Sequence, residues 1–130
     1  EGLFIDLVDT EWYLRAASIG CQAYGVPSAR LYHQLGKGVV TFWCGRWRHF
    51  PRHGVFRYYY MARNRMLLLV RDYIPLHRRL KELLVLLYIL IAGFVLLPQR
   101  WGRLKMVACG IVAGVQGRDG KAPFASGSAA

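Results

Sequence analysis

Two carboxylates two residues apart, Asp9 and Glu11, stand where a short apolar segment gives way to a helical pattern. Leu3 to Val8 is apolar enough for a strand. From Thr10 to Ile19, Trp12, Ala16 and Ile19 recur at spacings of four and three, the period of one helix face. A carboxylate at a strand-to-helix junction is carried on rigid elements at a sheet edge, where sites in α/β folds usually lie. Held there, it can take a proton from a weakly acidic hydroxyl as that oxygen attacks. The same position suits a helix N-cap that accepts from backbone N–H groups, and Asp9 or Thr10 fits that role as well. Glu11 also reads as an ordinary first-turn acid. Trp12 offers an aromatic face to a ligand or to the core, and Arg15, three residues on, can stack on it or reach a ligand. A second group, Arg57, Tyr60, Arg63 and Asn64, falls at three- and four-residue helical spacings. Arginine forks in such a cluster match phosphate oxygens, and they equally suit a helix lying on membrane headgroups.

The elements that must position these side chains follow from pattern and punctuation. Gly20 ends the first helix. Cys21 to Val26 and Ala29 to His33 read as two further strands, and Gly36-Lys37-Gly38 as a break. Residues 42–53 (FWCGRWRHFPRH) are aromatic and basic and read as a loop. Phe56 to Asp72 has no Gly or Pro and stops before Pro75, as a helix would. Leu76, Leu80, Leu83, Leu84 and Leu87 continue at helical spacing into fifteen apolar or Gly residues, Leu83 to Leu97. Met106 to Val115 is a second apolar stretch, diluted by glycines, and the segment from Gly117 reads as a disordered tail.

Charge is divided unevenly. Residues 1–45 carry four acids and three bases, whereas 46–130 carry fifteen Lys and Arg against Asp72, Glu82 and Asp119. A cationic half beside long apolar runs suits an anionic membrane surface. The fifteen-residue run argues against nucleic acid as the partner, although arginines interleave with Trp43, Trp47 and Tyr58 to Tyr60. Cys21, Cys44 and Cys109 are widely spaced with no CxxC pair, which argues against a zinc site or redox dithiol and reads as three reduced thiols. A spanning helix needs about 20 apolar residues. Leu83 to Leu97 falls short of that, so an in-plane or shallow-hairpin association, apolar face down, is expected ahead of a helix buried on the catalytic domain or a true span.

Val8-Asp9-Thr10-Glu11-Trp12-Tyr13-Leu14-Arg15-Ala16 resembles the acidic motif of family 2 glycosyltransferases, Glu-Asp-x-Asp-Leu-x-x-Arg. The form is that of the rhamnosyltransferase branch, with Phe-Ile-Asp ahead and Asp-x-Glu-Trp following. The second acid of the Glu-Asp pair, the family's general base, falls on Asp9. The first falls on Val8, a departure that branch shares, and the third on Glu11. Arg57-Tyr58-Tyr59-Tyr60-Met61-Ala62-Arg63-Asn64 resembles that branch's Arg-x-Tyr-Tyr-x-x-Arg-Asn stretch. His33, twenty-four residues after Asp9, stands at about the spacing of the family's metal-binding His. The resemblance runs from about Phe4 to about Tyr73, and more loosely to Leu97.

The resemblance implies an α/β fold, the C-terminal part of a GT-A type domain, followed by basic and apolar helices. Residues 1–53 would be the acceptor side of the catalytic domain, 54–116 a membrane-associated helical region, and 117–130 a disordered tail. It implies an inverting transfer of rhamnose or a similar sugar from a nucleotide-sugar donor such as dTDP-rhamnose. The acceptor would be a surface polysaccharide or lipid-linked glycan, met at the cytoplasmic face of the bacterial inner membrane. Asp9 would be the base, Glu11, Trp12 and Arg15 would bind acceptor, and Arg57, Tyr60, Arg63 and Asn64 would hold phosphate or lipid headgroups. His33 would complete a divalent cation, Mn or Mg, held mainly by an Asp-x-Asp motif. That motif is absent from these 130 residues, so the chain is expected to be incomplete and inactive alone. The alternative is a small basic membrane-associated protein, or the product of a broken gene, with no catalysis.

Overall fold

The computed structural model describes residues 2–30, 32 and 38–122. In chain order these form α1 (Val8–Ser18), a hairpin of β1 (Val39–Trp43) and β2 (Trp47–Pro51), then α2 (Val55–Leu69), α3 (Leu76–Leu96) and α4 (Arg100–Val115).

Helix α2 is the centre of the packing. It starts after Gly54 in extended conformation and has no internal Gly or Pro. Three consecutive residues, Tyr58, Tyr59 and Tyr60, are all buried. Successive residues of a helix point 100° apart, so three in a row are buried only when neighbours cover most of the cylinder. Tyr58 and Ala62 meet Leu86, Ile89 and Ala92 of α3 and Val107 of α4. Tyr59 and Tyr60 meet Ala113 and Ala122, with Phe4 against them.

The glycines of the second apolar stretch are the contact surface of α4. A Cβ on Gly110 would overlap the Tyr59 carbonyl oxygen and lie 3.1 Å from Ala62 Cβ. One on Gly114 would overlap Met66 and lie 2.8 Å from the Arg63 carbonyl oxygen. Their four-residue spacing puts both on one face, so α4 lies backbone-close against α2.

Residues 42–53, expected as a loop, instead contribute to an antiparallel hairpin with Val40 opposite Phe50 and Trp43 opposite Trp47. Cys44-Gly45-Arg46 turns the chain, with Gly45 at φ 67°, a conformation that costs glycine little. Val40 and Phe42 face the core with buried Phe50, and the Phe50 ring meets Tyr88 of α3 at 5.9 Å. The expected strands at 3–8 and 21–26 do not form, and neither do the described residues of 29–33. A strand needs a partner edge, and among the described residues those segments pair with neither edge of the two-stranded β1–β2 sheet. Residues 3–7 lie along α2 with Ile5 and Leu7 in left-handed backbone, and 21–30 are exposed.

Residues 117–122, expected within a disordered tail, pack on α2: the Ala122 N–H donates to Tyr60 Oη at 2.9 Å. They also meet the opposite end of the described chain, where the Gly120 N–H donates to the Gly2 carbonyl at 2.7 Å.

From Leu83 onward helix α3 is apolar all round. Its inner face, Leu86, Ile89, Ala92 and Gly93, is buried. On its outer face Leu76, Leu80, Leu83, Leu87, Ile91 and Phe94 follow at intervals of three and four, and all are exposed. Among the described residues no helix is long and apolar enough to cross a membrane.

Candidate functional site

Helix α1 has no side-chain cap. Its N-cap is Leu7, at φ 62°, and Asp9 is the second residue of the helix. Asp9 is therefore not an N-cap. It is exposed, and among the described residues its carboxylate has neither hydrogen bond nor ion pair. Two residues on, Glu11 points the other way and is buried. It accepts from Tyr73 Oη and pairs with Arg15 Nε at 3.3 Å. Burial, followed by the hydrogen bond to Glu11, holds the Tyr73 hydroxyl above its ordinary pKa of 10.0.

Trp12 is 59% exposed. With Leu3, Val8, Glu11 and Arg15 it lines a shallow depression of about 190 Å³. Val8, Glu11, Trp12 and Arg15 share that face of α1, and Asp9 is not among the residues that line the depression. Arg15 is committed to Glu11 and does not stack on Trp12, because the buried carboxylate one turn back is the stronger attraction.

The second cluster is arranged otherwise than expected. Tyr60, Arg63 and Asn64 have 0%, 1% and 0% of their surface exposed. Arg63 donates through Nε and Nη2 to Asn64 Oδ1, at 3.1 and 2.9 Å, and through Nη1 to the Gly120 carbonyl at 2.6 Å. Its guanidinium lies over the Tyr60 ring at 4.9 Å. Asn64 Nδ2 donates to the carbonyls of Phe4 and Asp6, at 3.1 and 2.7 Å. These polar atoms fasten both ends of the described chain to α2 and are not offered to a phosphate. Arg57 is the exception: it is partly exposed, with Nε unpartnered. It and burial hold His53 below the ordinary imidazole value, burial having the larger effect, while Asp6 opposes them.

Several residues outside the expected set complete this region. Arg65 Nη1 donates to Asp6 Oδ2 at 2.9 Å, and Arg65 Nε lies 3.3 Å from Glu82 Oε2. Glu82 Oε1 lies 3.1 Å from Arg78. Two acids and two arginines thus alternate, bringing the N-terminal segment, α2 and α3 together. Glu82 carries a readable signal, as the sole acid of a 21-residue helix. Asp6 has one too, from its place in Phe-Ile-Asp.

His33 lies outside the described residues. Among the described residues no group of three or more His, Cys, Asp or Glu is placed to hold a metal ion. No chemical step here is routed through a divalent cation. The three cysteines are free and exposed.

Over 82 residues the chain is 39% identical to the dTDP-rhamnosyl transferase RfbF of Shigella flexneri. The match covers 63% of this chain and 27% of that protein, so the chain spans about a quarter of the relative's length. No family model matches, and no solved structure gives a significant match.

Proposed function

We propose that this chain is the acceptor-side segment of an inverting family 2 glycosyltransferase of GT-A type, one that transfers rhamnose. Its similarity to a dTDP-rhamnosyl transferase is established over those 82 residues. The observation that carries the catalytic reading is the Asp9 carboxylate, exposed on the first turn of α1 and without a partner among the described residues. A residue that merely capped the helix would be spent on backbone N–H groups.

The chemistry asks for such a group. An acceptor hydroxyl holds its proton too tightly at neutral pH to attack unaided. Asp9 takes that proton as the oxygen bonds to the anomeric carbon, while the bond from that carbon to the nucleoside diphosphate breaks. Attack opposite the leaving group inverts the configuration. The donor in this reading is dTDP-rhamnose, and Trp12 with its neighbours in the depression receives the acceptor sugar on an aromatic face. Glu11, held by Tyr73 and Arg15, shapes that surface from beneath.

The same reading lays the outer face of α3 on the cytoplasmic membrane surface, with a lipid-linked glycan as acceptor. The exposed apolar row supports this, as does the cationic second half, where Glu82 is buried and paired. A helix with an apolar outer face among basic residues binds anionic lipid in the interface plane.

The experiment is Asp9→Asn in the transferase that contains this segment. Turnover should fall by at least about 10²-fold, the effect of losing a general base, with donor affinity unchanged. Near-normal turnover would refute Asp9 as the base and pass the role to another carboxylate.

A further inference from the structure

The two stretches that resemble the rhamnosyltransferase branch lie about fifty residues apart in sequence, yet they bind each other. Asn64 is fully buried, and its orientation is fixed by chemistry: Arg63 only donates, so Asn64 Oδ1 faces it. Nδ2 then faces away, and both its donors go to the carbonyls of Phe4 and Asp6. Those carbonyls flank Ile5, and Ile5 and Leu7 both have left-handed backbone, at φ 71° and 62°. Non-glycine residues keep such a conformation only where their surroundings impose it. Here the imposed shape is the one that turns two alternate carbonyls toward a single amide. Arg65 holds the Asp6 side chain from the next position of α2.

What this clamp controls is the start of α1. Leu7 is its N-cap and supplies no capping side chain. Glu11 is the only buried residue of α1, and it is held by polar contacts to Tyr73 and Arg15. The helix is therefore placed by tethers, not by an apolar face packed into the core. The clamp's contacts at Phe4 and Asp6 lie five and three residues before Asp9.

We infer that Asn64 and Arg65 are positioning residues for the base: by clamping the Phe4–Leu7 segment they set the direction of α1, and with it the place of the Asp9 carboxylate. This rests on the reading of Asp9 given above. It gives the Arg-Asn pair of the second signature a role that needs no contact with phosphate or sugar. A displacement of about 1 Å in a reacting group costs up to roughly 100-fold in rate, so a loose clamp would be felt in turnover.

Two variants test it from opposite sides. Asn64→Asp keeps size and the Arg63 partner but replaces the donors to Phe4 and Asp6 with an acceptor. Asp6→Asn weakens the Arg65 contact and leaves α2 untouched, which covers the case in which Asn64→Asp fails to fold. Hydrogen exchange on the full chain should show lost protection across residues 8–18, with that of α2, α3 and α4 retained. In the transferase containing the segment, kcat should fall roughly 10- to 100-fold with donor KM unchanged. Combined with Asp9→Asn, neither variant should lower kcat further, because both act through the same carboxylate. Unchanged exchange in α1 for both variants overturns the clamp. Loosened exchange with unchanged kcat, or full additivity with Asp9→Asn, overturns the positioning role. An active Asp9→Asn enzyme removes the base itself and the positioning role with it, while the exchange result still judges the clamp.

Discussion

Two glycines of α4 should respond in opposite ways to the same substitution. Gly102 and Gly110 are both helical, and replacing either with Ala removes the same backbone-entropy penalty, worth about 1 kcal/mol. At Gly102 the new methyl meets only Val55 Cγ1 at 3.6 Å, an ordinary contact. Gly102→Ala should therefore raise stability by about 0.5–1 kcal/mol. At Gly110 the methyl would overlap the Tyr59 carbonyl oxygen, with Ala62 Cβ at 3.1 Å. Both obstacles belong to a helix backbone or its first carbon, and neither can rotate away. The helices must part, and overpacking of that kind costs about 1–3 kcal/mol. Separation also thins the packing of Tyr59 against Ala113, which adds to the loss. The net expectation for Gly110→Ala is a loss of up to roughly 2 kcal/mol once the propensity gain of about 1 kcal/mol is subtracted. Urea unfolding followed by circular dichroism measures both, with the slope unchanged if only stability moves. Equal stabilisation by the two substitutions would refute the close approach of α2 and α4.

Two further outcomes are expected. Because burial and Arg57 hold His53 below its ordinary 6.5, the unfolded chain binds the extra proton first as pH drops. The stability this group contributes is then complete above about pH 6.5 and lost as pH falls through the lower folded value. The urea midpoint should fall between pH 7.5 and 5.5, and His53→Gln should flatten that part of the profile. For the membrane reading, the chain should float with vesicles containing anionic lipid, and Leu83→Glu with Leu87→Glu should abolish this. Flotation that survives the double substitution would refute contact through the outer face of α3.

Much of the helical architecture was legible in the sequence, because long runs without Gly or Pro and clear periods leave little choice. The expected helix at Phe56 to Asp72 is α2, and the leucines from Leu76 begin α3. The hairpin was not legible. Phe42 and Phe50 alternate with exposed neighbours over only five residues on each strand, and the basic and aromatic composition hides so short a period. The strands expected at Leu3 and Cys21 rested on composition alone, and composition does not supply a partner edge. Of the site, Asp9, Glu11, Trp12 and Arg15 were singled out in the sequence, but the depression that Trp12 lines was not. The fate of Tyr60, Arg63 and Asn64 was not legible either. Helical spacing tells which side chains share a face, but not whether that face looks on solvent or on another part of the same chain. The deciding partners, Phe4, Asp6, Gly120 and Ala122, are 57 to 62 residues away.

That separation bears on the order of folding. The strap along α2 closes loops of nearly sixty residues, and it does so chiefly with polar bonds, each worth about 0.5–1.5 kcal/mol net. Bringing the ends of such loops together costs entropy before any bond repays it, so no single bond can hold the strap closed. The acceptors of Phe4 and Asp6 need Asn64 already oriented by Arg63, and Arg63 needs Tyr60 beneath it. All of these exist only once α2 is formed and flanked by α3 and α4. The segment leading to Asp9 is thus expected to dock last, on a finished helical surface, as a single cooperative step.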